Sequence, residues 1–372
     1  MKITYVHGIC IQHDAISNAI RDEVEWLMVD HEVRLFTYAC DHAHLPSTIV
    51  QDINQLVLNE HFQQSDLIVF HFGVYYPLFD AILACPTKAR RLVIFHNITP
   101  KEYIQIADHA TFDRSLAQLS NLVFADHVVC DSHTNLAVMH AAGFTVPSTV
   151  LPLALHTNPT PPHLKPSCED GIVRVAFVGR FVKSKGVGEI LAAVDALLLS
   201  DAHLTVQLDL VGNMKFSDAS LLEAMRLTLA RLSVKHGDRV TATIHGSATD
   251  ELKSALLRDA DLFILPTYHE GFCVPILEAL ASGCRVISYD NSNVPAISGG
   301  LATLVPTGDV AALTTALATQ AGIVVSDAWR AGGADSYAAY IARASAFVAA
   351  FEPANIRSRF LTFIRGFSRS LY

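Results

Sequence analysis

The sequence predicts a two-domain α/β protein with a doubly wound, mainly parallel sheet in each domain. At 372 residues the chain is longer than one typical hydrophobic core can organise. Short apolar runs of strand length alternate with longer helical patterns, which is typical of parallel strands joined by crossover helices. A segment with four prolines in ten residues, 157–166, separates the two alternating sets. Two such domains joined there imply a cleft between them.

The strands of each domain are predicted from apolar runs. In the first domain, 1–156, they are Ile3–Val6, Glu32–Tyr38, Leu67–Phe72, Arg91–His96 and His127–Cys130. A linker over 157–170 is expected to be extended. In the second domain, 171–349, the predicted strands are Val173–Val178, Leu204–Val211, Val240–His245, Leu262–Leu265 and Arg285–Ser288. From about Ser336 the sequence is helical.

Composition excludes several classes of protein. A hydrophobic fraction of 51% with 17% charged residues indicates a compact chain and excludes disorder. The net charge of −9 provides no basic surface for nucleic acid. Seven cysteines occur at irregular positions without a C-x-x-C motif, which favours free thiols in a reducing cytosol. The first residues read as a strand rather than a signal peptide, and no apolar run is long enough to span a bilayer. We therefore expect a cytoplasmic protein.

Two carboxylates eight positions apart form the most informative motif. Glu270 follows the apolar run Asp261–Pro266, Gly271 provides a turn, and a helix that contains Glu278 is expected to begin near Val274. Ligands of open α/β sheets bind at the ends of the strands, and helix N-termini bind anions. A nucleotide sugar has hydroxyl-bearing rings and a diphosphate, and so fits this pattern. The alternative is that both side chains are solvated charges that complement the helix dipole.

Cations follow the first strand of the second domain. Gly179 ends that strand, and Arg180 and Lys185 lie on the loop before a helix predicted from Val187. A guanidinium and an ammonium at a helix entrance suit a diphosphate, although loop cations are often merely solvated. There is no G-x-G-x-x-G or Walker A motif, so a dinucleotide oxidoreductase or P-loop ATPase is not expected. Asp259 and Asp261 resemble a metal-binding pair, but we interpret them as solvated turn carboxylates and expect no metal site.

These segments together resemble the large retaining glycosyltransferase family 4, which has the GT-B architecture. The motifs that show this resemblance are the strand-Gly-Arg segment at 177–180, the Lys-Gly at 185–186 and the E-x7-E motif over 269–278. Further similarity extends over Asp14–Asn18, Phe95–Pro100 and Val129–His133, as in bacterial members that build surface polysaccharides and lipopolysaccharide. The resemblance implies two Rossmann-like domains that face a cleft. It also implies a C-terminal helix, about 350–372, that crosses back to the first domain.

The resemblance also implies roles for individual residues. Arg180 and Lys185 would bind the donor diphosphate, Glu278 the ribose hydroxyls, and Glu270 the transferred sugar. His96 would face the donor sugar; the alternative is a strand-end histidine packed against its loop. Backbone groups expected to contact the donor belong to Gly246, Gly271, Phe272 and Cys273. Two positions depart from the family pattern: the first βα loop has only Gly8 where paired glycines are common, and Cys273 replaces a common glycine.

The implied activity is retaining, metal-independent hexosyl transfer from a nucleoside-diphosphate sugar, with GDP-mannose favoured, to a glycan or lipid-linked acceptor in surface polysaccharide synthesis. No cofactor is expected. The alternatives are a catalytically silent nucleotide-sugar-binding subunit, a GT-B sugar-nucleotide epimerase and a phosphorylase; the E-x7-E motif speaks against the epimerase. The tail carries Arg357, Arg359, Arg365 and Arg369 beside an apolar stripe at helical spacing. That helix is expected to pack on the first domain, or to contact anionic lipid at the inner face of the cytoplasmic membrane.

Overall fold

The computed structural model describes residues 1–12, 14–156 and 161–369. Contacts between residues divide the chain into two units. The first unit comprises Met1–Lys101, Gln105–Ala154 and the C-terminal segment from Phe351. The second unit comprises Glu102–Ile104 and Leu155–Ala350.

Parallel strands form the framework of each unit. The strands are β1 Lys2–Val6, β2 Ile9–Cys10, β3 Glu32–Thr37, β4 Ala39–Cys40, β5 Ser47–Ile49, β6 Leu67–Phe72, β7 Arg90–Phe95, β8 His127–Cys130, β9 Ser148–Val150, β10 Ile172–Val178, β11 Thr205–Val211, β12 Val240–Gly246, β13 Leu262–Leu265, β14 Arg285–Tyr289 and β15 Ala302–Val305. All ten predicted strands are confirmed, with ends that shift by a residue or so. The five that the sequence did not predict (β2, β4, β5, β9 and β15) have two to four residues each, which is too short to establish a period.

Helices connect most of these strands. They are α1 Ala15–Leu27, α2 Ile53–Val57, α3 Glu60–Gln64, α4 His109–Leu119, α5 His133–Ala141, α6 Ser167–Asp170, α7 Val187–Ser200, α8 Ala219–His236, α9 Asp250–Asp259, α10 Val274–Ala281, α11 Val294–Ser298, α12 Val310–Val324, α13 Asp327–Arg330, α14 Tyr337–Val348 and α15 Pro353–Arg369. None of the helices in the described part of the chain combines the length and the apolar content needed to cross a membrane.

The first unit is built on a seven-stranded sheet in the order β5-β3-β1-β6-β7-β8-β9, with all neighbours parallel. Side chains that alternate along each strand enter two separate apolar clusters. Ile68 and Phe70 belong to one cluster, whereas Leu67 and Val69 belong to the other. Both faces of this sheet are therefore covered, as expected of a parallel sheet. The strand order reverses between β1 and β6, and this is where doubly wound sheets bind ligands.

The second unit has a six-stranded parallel sheet in the order β12-β11-β10-β13-β14-β15. Its order reverses between β10 and β13. The loops after these two strands carry Arg180 and Glu270 respectively. The topology thus brings together two motifs that lie 90 residues apart in the sequence.

The C-terminal helix α15 packs within the first unit. Its residues Phe360, Ile364 and Phe367 are buried in the cluster that also contains Val24 and Leu27 of α1. The ring of Phe360 lies 5.9 Å from that of Trp26. The expected return of this helix to the first domain is therefore confirmed, although residues 370–372 lie outside the described residues.

Part of the predicted linker is packed rather than extended. Lys165 is only 1% exposed, and its ammonium donates hydrogen bonds to the carbonyl oxygens of Leu257, Arg258 and Ser282 at 3.4, 2.7 and 2.8 Å. These carbonyls lie at the C-terminal ends of α9 and α10, where a cation is favourable. Burial lowers the pKa of Lys165. Lys165 is therefore held by the second unit, while residues 157–160 lie outside the described part of the chain.

Candidate active site

The loop after β10 is held close to neighbouring strands by glycines. A Cβ atom on Gly212 would lie 2.3 Å from the carbonyl oxygen of Gly179, so the loops after β10 and β11 approach too closely for any side chain there. Gly186, at the entrance of α7, has φ +64°, and a Cβ atom on it would lie 2.2 Å from the carbonyl oxygen of Pro266. The loop that carries Arg180 and Lys185 is therefore fixed against the end of β13.

Lys185 and Glu270 form an ion pair across this junction. The Lys185 Nζ lies 2.5 Å from Oε1 of Glu270, and both side chains are largely buried. The backbone amide of Glu270 donates to the hydroxyl of Ser292 at 2.9 Å, which fixes the main chain at this residue. An ammonium has three donors, so one bond to Glu270 leaves two for a ligand. The structure thus brings together two of the predicted site residues.

Arg180 differs from Lys185 in being exposed. Its side chain has no hydrogen-bond or ion-pair partner among the described residues, whereas its neighbour Phe181 is fully buried. Phe181 packs beside Phe177, with ring centroids 6.0 Å apart, and fixes the loop beneath the guanidinium. Arg180 is therefore an available cation on an anchored loop, the same loop that carries Lys185.

Glu278 has a partner that sequence reasoning missed. It is buried on α10, and its Oε1 lies 2.7 Å from Nζ of Lys253 on α9. Burial alone would lower the pKa of Lys253, but the carboxylate of Glu278 outweighs burial and raises it. No local pattern marks Lys253, because the packing of two helices, not sequence spacing, places it 25 residues before its partner.

The turn into α10 contains a strained residue. Cys273, immediately before α10, has φ +82°, the left-handed region that non-glycine residues rarely occupy. This conformation explains why a glycine is common at this position. Phe272 and Cys273 are buried, and the carbonyl oxygen of Phe272 accepts a hydrogen bond from Asn293 at 2.8 Å. Strained backbone of this kind concentrates at ligand sites. Gly271, the remaining member of the predicted turn, lies directly before them.

The glycines predicted near the ligand have different surroundings. Gly8 follows β1 at the reversal of the first sheet; its carbonyl oxygen accepts from the amide of Tyr38 and the hydroxyl of Thr37. A Cβ atom on Gly8 would lie 3.2 Å from Cβ of Tyr76, so a side chain there would be crowded. Gly246 ends β12 with φ +59° and faces Met214.

His96 lies directly after β7 and is held by two neighbours. Its Nδ1 lies 2.6 Å from Oδ2 of Asp131, which follows β8, and its Nε2 lies 2.9 Å from Nδ1 of His71 in β6. Its side chain is only 4% exposed. Burial alone would lower the pKa of His96, but Asp131 raises it above the ordinary value. Both ring nitrogens are thus engaged within the first unit, as in the alternative of a packed strand-end histidine.

The network continues inward from His71. Its Nε2 lies 3.2 Å from Oε2 of Glu23 on α1, and the hydroxyl of Tyr5 donates to the same oxygen at 3.0 Å. Burial lowers the pKa of His71 and raises that of Glu23. Asp131 belongs to a motif that the sequence singles out, but nothing in the pattern indicates Glu23 or His71.

The interpretation of Asp261 as a solvated turn carboxylate is wrong. Asp261 is only 1% exposed; one of its oxygens accepts from the hydroxyl of Ser167 and the other from the amide of Arg174 at 2.8 Å. It therefore anchors α6 to β10. Asp259, two residues earlier, is half-buried and pairs with Arg258. No cluster of three or more metal-ligating side chains occurs in the described residues.

Comparison with known proteins finds a family that part of the second unit resembles. Residues 173–321 match the family described as "Glycosyl transferases group 1". A D-inositol 3-phosphate glycosyltransferase of Corynebacterium jeikeium is 32% identical over 137 residues, which cover 36% of this chain and 31% of that protein. An MMP alpha-(1->4)-mannosyltransferase of Mycolicibacterium hassiacum is 29% identical over 174 residues, covering 45% of this chain and 38% of that protein. The chain thus spans about a third of the length of the curated relatives it matches.

Solved structures match the whole fold. Sucrose-phosphate synthase from Thermosynechococcus elongatus superposes with a TM-score of 0.75 at 18% identity and covers 99% of both chains. WaaG, a glycosyltransferase involved in lipopolysaccharide biosynthesis, superposes with a TM-score of 0.71 at 14% identity and covers 98% of this chain and 100% of that chain. The chain therefore has the GT-B fold, and its residues 173–321 are similar to the group 1 glycosyl transferases.

Proposed function

We propose that this protein is a retaining hexosyltransferase of glycosyltransferase family 4. It would move a sugar from a nucleoside-diphosphate donor to a glycan or lipid-linked acceptor in surface polysaccharide synthesis. The observation that carries the proposal is the Lys185–Glu270 pair at the reversal of the second sheet, with Arg180 exposed on the loop that also carries Lys185. Ligands of doubly wound folds bind at this position. Transfer from a sugar nucleotide needs a cation that binds the phosphates and a carboxylate that binds the sugar at the same place.

The chemistry follows from where charge develops. When the anomeric bond of the donor breaks, negative charge builds on the leaving diphosphate, and preorganised donors that stabilise it lower the barrier. Arg180 supplies an exposed guanidinium, and Lys185 supplies an ammonium whose position Glu270 fixes. In our proposal the acceptor hydroxyl attacks from the same face and gives its proton to the departing phosphate oxygen. The configuration at the anomeric carbon is then retained without a protein nucleophile.

Glu278 would bind the ribose hydroxyls, and Lys253 would orient its carboxylate. GDP-mannose is the donor we propose; one relative that the chain resembles is named a mannosyltransferase. We further propose that the exposed arginines of α15 contact anionic lipid, which would bring the enzyme to a lipid-linked acceptor.

A donor panel tests the proposal directly. UDP, GDP, ADP and their hexose conjugates are screened by thermal shift, because a ligand that binds only the folded state raises its melting temperature. Stabilising donors are then assayed for hydrolysis without acceptor and for transfer to glycan and lipid-linked acceptors, with NMR of the product's anomeric proton. We expect one nucleotide to stabilise the protein and its sugar to be transferred with retention. Saturable binding without turnover would indicate a silent binding subunit, and conversion of the sugar nucleotide itself an epimerase.

Transfer is also expected to survive chelation. The cations Arg180 and Lys185 occupy the role that a divalent ion has in other nucleotide-sugar enzymes, and both oxygens of Asp261 are already engaged by the protein. EDTA should leave the rate unchanged, and Asp259→Asn should be nearly silent. Activity lost on chelation and restored by Mn²⁺ would contradict the metal-independent mechanism.

A further inference from the structure

Four buried side chains of the first unit form an unbroken hydrogen-bonded chain. Glu23 contacts His71 at 3.2 Å, His71 contacts His96 at 2.9 Å, and His96 contacts Asp131 at 2.6 Å. The residues come from α1 and from three adjacent strands or their carboxyl ends. The rings of His71 and His96 are nearly parallel, with centroids 5.1 Å apart. Each imidazole uses both nitrogens within the chain.

The atoms that meet allow two arrangements with the same number of protons. In the first arrangement the carboxyl of Glu23 is protonated and donates to Nε2 of His71. The Nδ1–H of His71 then donates to Nε2 of His96, and the Nδ1–H of His96 donates to Asp131. In the second, Glu23 is ionised and accepts from Nε2–H of His71, whose Nδ1 accepts from Nε2–H of His96. His96 is then an imidazolium, still donating to Asp131. Every contact has one donor and one acceptor in both arrangements.

We propose that Glu23, His71 and His96 share one proton, which passes through the ring of His71 and sets the charge of His96 at the carboxyl end of β7. The O–H bond of Glu23 and the Nδ1–H bond of His71 break, while the Nε2–H bonds of His71 and His96 form. The transfer therefore needs no outside proton, and the net charge of the four side chains stays the same. Glu23 and His71 are then positioning residues. Their relevance to catalysis rests on the proposed function and on the expectation that His96 faces the donor sugar.

The surroundings favour a balanced pair of arrangements. Burial favours the neutral carboxyl of Glu23 and the neutral ring of His71, whereas Asp131 favours the imidazolium of His96. Groups that interact this strongly titrate as a set rather than singly. The titratable groups that face the chain are Tyr5 of β1, His7 of the following loop, Asp14 at the start of α1, and Asp22 of α1.

NMR of the full-length wild-type protein tests the sharing without any substitution. With ¹³C-labelled glutamate carboxyls and ¹⁵N-labelled histidine rings, the protonated fractions of Glu23 and His96 are followed from pH 5 to pH 9. We expect both groups to change in the same pH steps, and His71 to show averaged shifts of its two tautomers. Independent single steps at different pH values, with His71 fixed in one tautomer, would overturn the proposal.

Substitution adds a second measurement. Glu23→Gln cannot take the ionised arrangement, so the titration midpoint of His96 should fall by about one pH unit. Glu25→Gln is the matched control, because it makes the same substitution two positions later on α1, where the carboxylate pairs with His44 rather than with the network; it should leave His96 unchanged. A purely structural Glu23 would lower the melting temperature of the variant but leave the titration of His96 as in wild type, and so refute the proposal.

The pH profile of transfer connects the network to catalysis. In the Glu23→Gln variant the pH profile of kcat should shift with the titration midpoint of His96, while the Kd of the bare nucleotide stays the same. If the pH profile of kcat is unchanged although the titration midpoint of His96 has shifted, the hydrogen-bonded network exists but does not serve the reaction. If no donor supports transfer, the proposed function fails, and the NMR measurements still decide the proton sharing.

Discussion

Single residues of the candidate site differ most in whether a charge has a protein partner. Lys185, Glu270 and Glu278 are each paired within the second unit, whereas the side chain of Arg180 has no partner in the described part of the chain. Pairing fixes a side chain and satisfies its charge before a ligand binds. An unpaired guanidinium on an anchored loop can instead give its full strength to a phosphate. The largest single-residue effect on catalysis is therefore expected at Arg180.

Arg180→Ala should lower kcat by about a hundredfold, since a charged donor to a developing charge contributes roughly 3 kcal/mol to transition-state stabilisation. Lys183→Ala is the matched control, because Lys183 is an exposed cation on the same loop. Steady-state kinetics with the stabilising donor measure both variants. Near-normal transfer by the Arg180 variant, or equal losses in the two variants, would remove Arg180 from the diphosphate site.

The two glutamates should separate kinetically. Glu278→Gln is expected to weaken binding of the bare nucleoside diphosphate and of the donor alike, because its proposed partner is the ribose. Glu270→Gln is expected to leave the bare nucleotide's Kd unchanged and to lower kcat, because its proposed partner is the sugar. Calorimetric titration and kinetics measure these effects, with the exposed Glu251→Gln on α9 as control. Equal loss of nucleotide affinity in both variants would contradict the assigned roles.

The sequence could predict these residues only where a local pattern places them. Glu270 and Arg180 lie at strand ends, so the strand pattern and the topology of a parallel sheet are enough to bring their loops together. Lys253 and Glu23 lie within helices, and only the packing of those helices decides which side chain each one meets. The left-handed backbone of Cys273 could not be predicted either, because a cysteine in the sequence gives no sign of a positive φ.

At the scale of elements, α15 shows how one helix can serve two surfaces. Ile356, Phe360, Ile364 and Phe367 are buried, whereas Arg357, Arg359 and Arg365 are exposed on the opposite side. The apolar stripe at helical spacing predicted both faces. It could not predict which neighbour covers the apolar face, because that depends on α1 and its Trp26. Strands of four or more residues, except β15, were likewise predicted from their apolar runs.

The buried face should carry the stability of this element. Phe360→Ala is expected to cost about 3–5 kcal/mol of the first unit's free energy of unfolding, because it leaves a cavity beside Trp26. Thr362→Ala, at an exposed position of the same helix, should change it by less than about 0.5 kcal/mol. Urea unfolding in a Trp329→Phe background, followed by the fluorescence of Trp26, measures both. Similar small losses in both variants would show that α15 contributes little to the first unit.

The exposed face should carry the proposed membrane contact. Changing Arg357, Arg359 and Arg365 together to Gln should leave stability nearly unchanged but reduce binding to anionic vesicles by about a hundredfold, since each basic residue near the surface contributes roughly 1 kcal/mol. The control changes three exposed arginines of the second unit, Arg226, Arg231 and Arg258, to Gln. Co-sedimentation at low salt measures binding. A wild-type protein that ignores such vesicles would rule the membrane role out.

At the scale of the whole molecule, the first unit keeps several ionisable groups out of water. His7, between β1 and Gly8, is buried, and burial lowers its pKa to about 3, assisted by the nearby His71 and His96. Its Nδ1 lies 3.1 Å from the carbonyl oxygen of His71. In the unfolded chain the same ring titrates near its ordinary value of 6.5. Between these two values the unfolded state binds a proton that the folded state does not.

This difference fixes the sign of a pH effect. Because the unfolded state binds more protons between pH 6.5 and pH 3, the contribution of His7 destabilises the folded state progressively as the pH falls through that window. From pH 7 to pH 5 the loss is about 2 kcal/mol. Glu23, whose pKa is raised by burial, acts in the opposite direction, so total stability conceals the effect of His7. Comparing variants at two pH values isolates it.

His7→Gln should therefore lose about 2 kcal/mol less stability than wild type between pH 7 and pH 5. The chain has two tryptophans, Trp26 in the first unit and Trp329 in the second. A Trp329→Phe background makes the fluorescence of Trp26 report on the first unit alone, which avoids treating a two-unit chain as a single transition. His133→Gln, at an exposed position of the same unit, is the control and should keep the wild-type pH dependence. If His7→Gln and His133→Gln show the same change between the two pH values, His7 is not held neutral by the fold, and the acid sensitivity of the first unit must come from the other buried histidines.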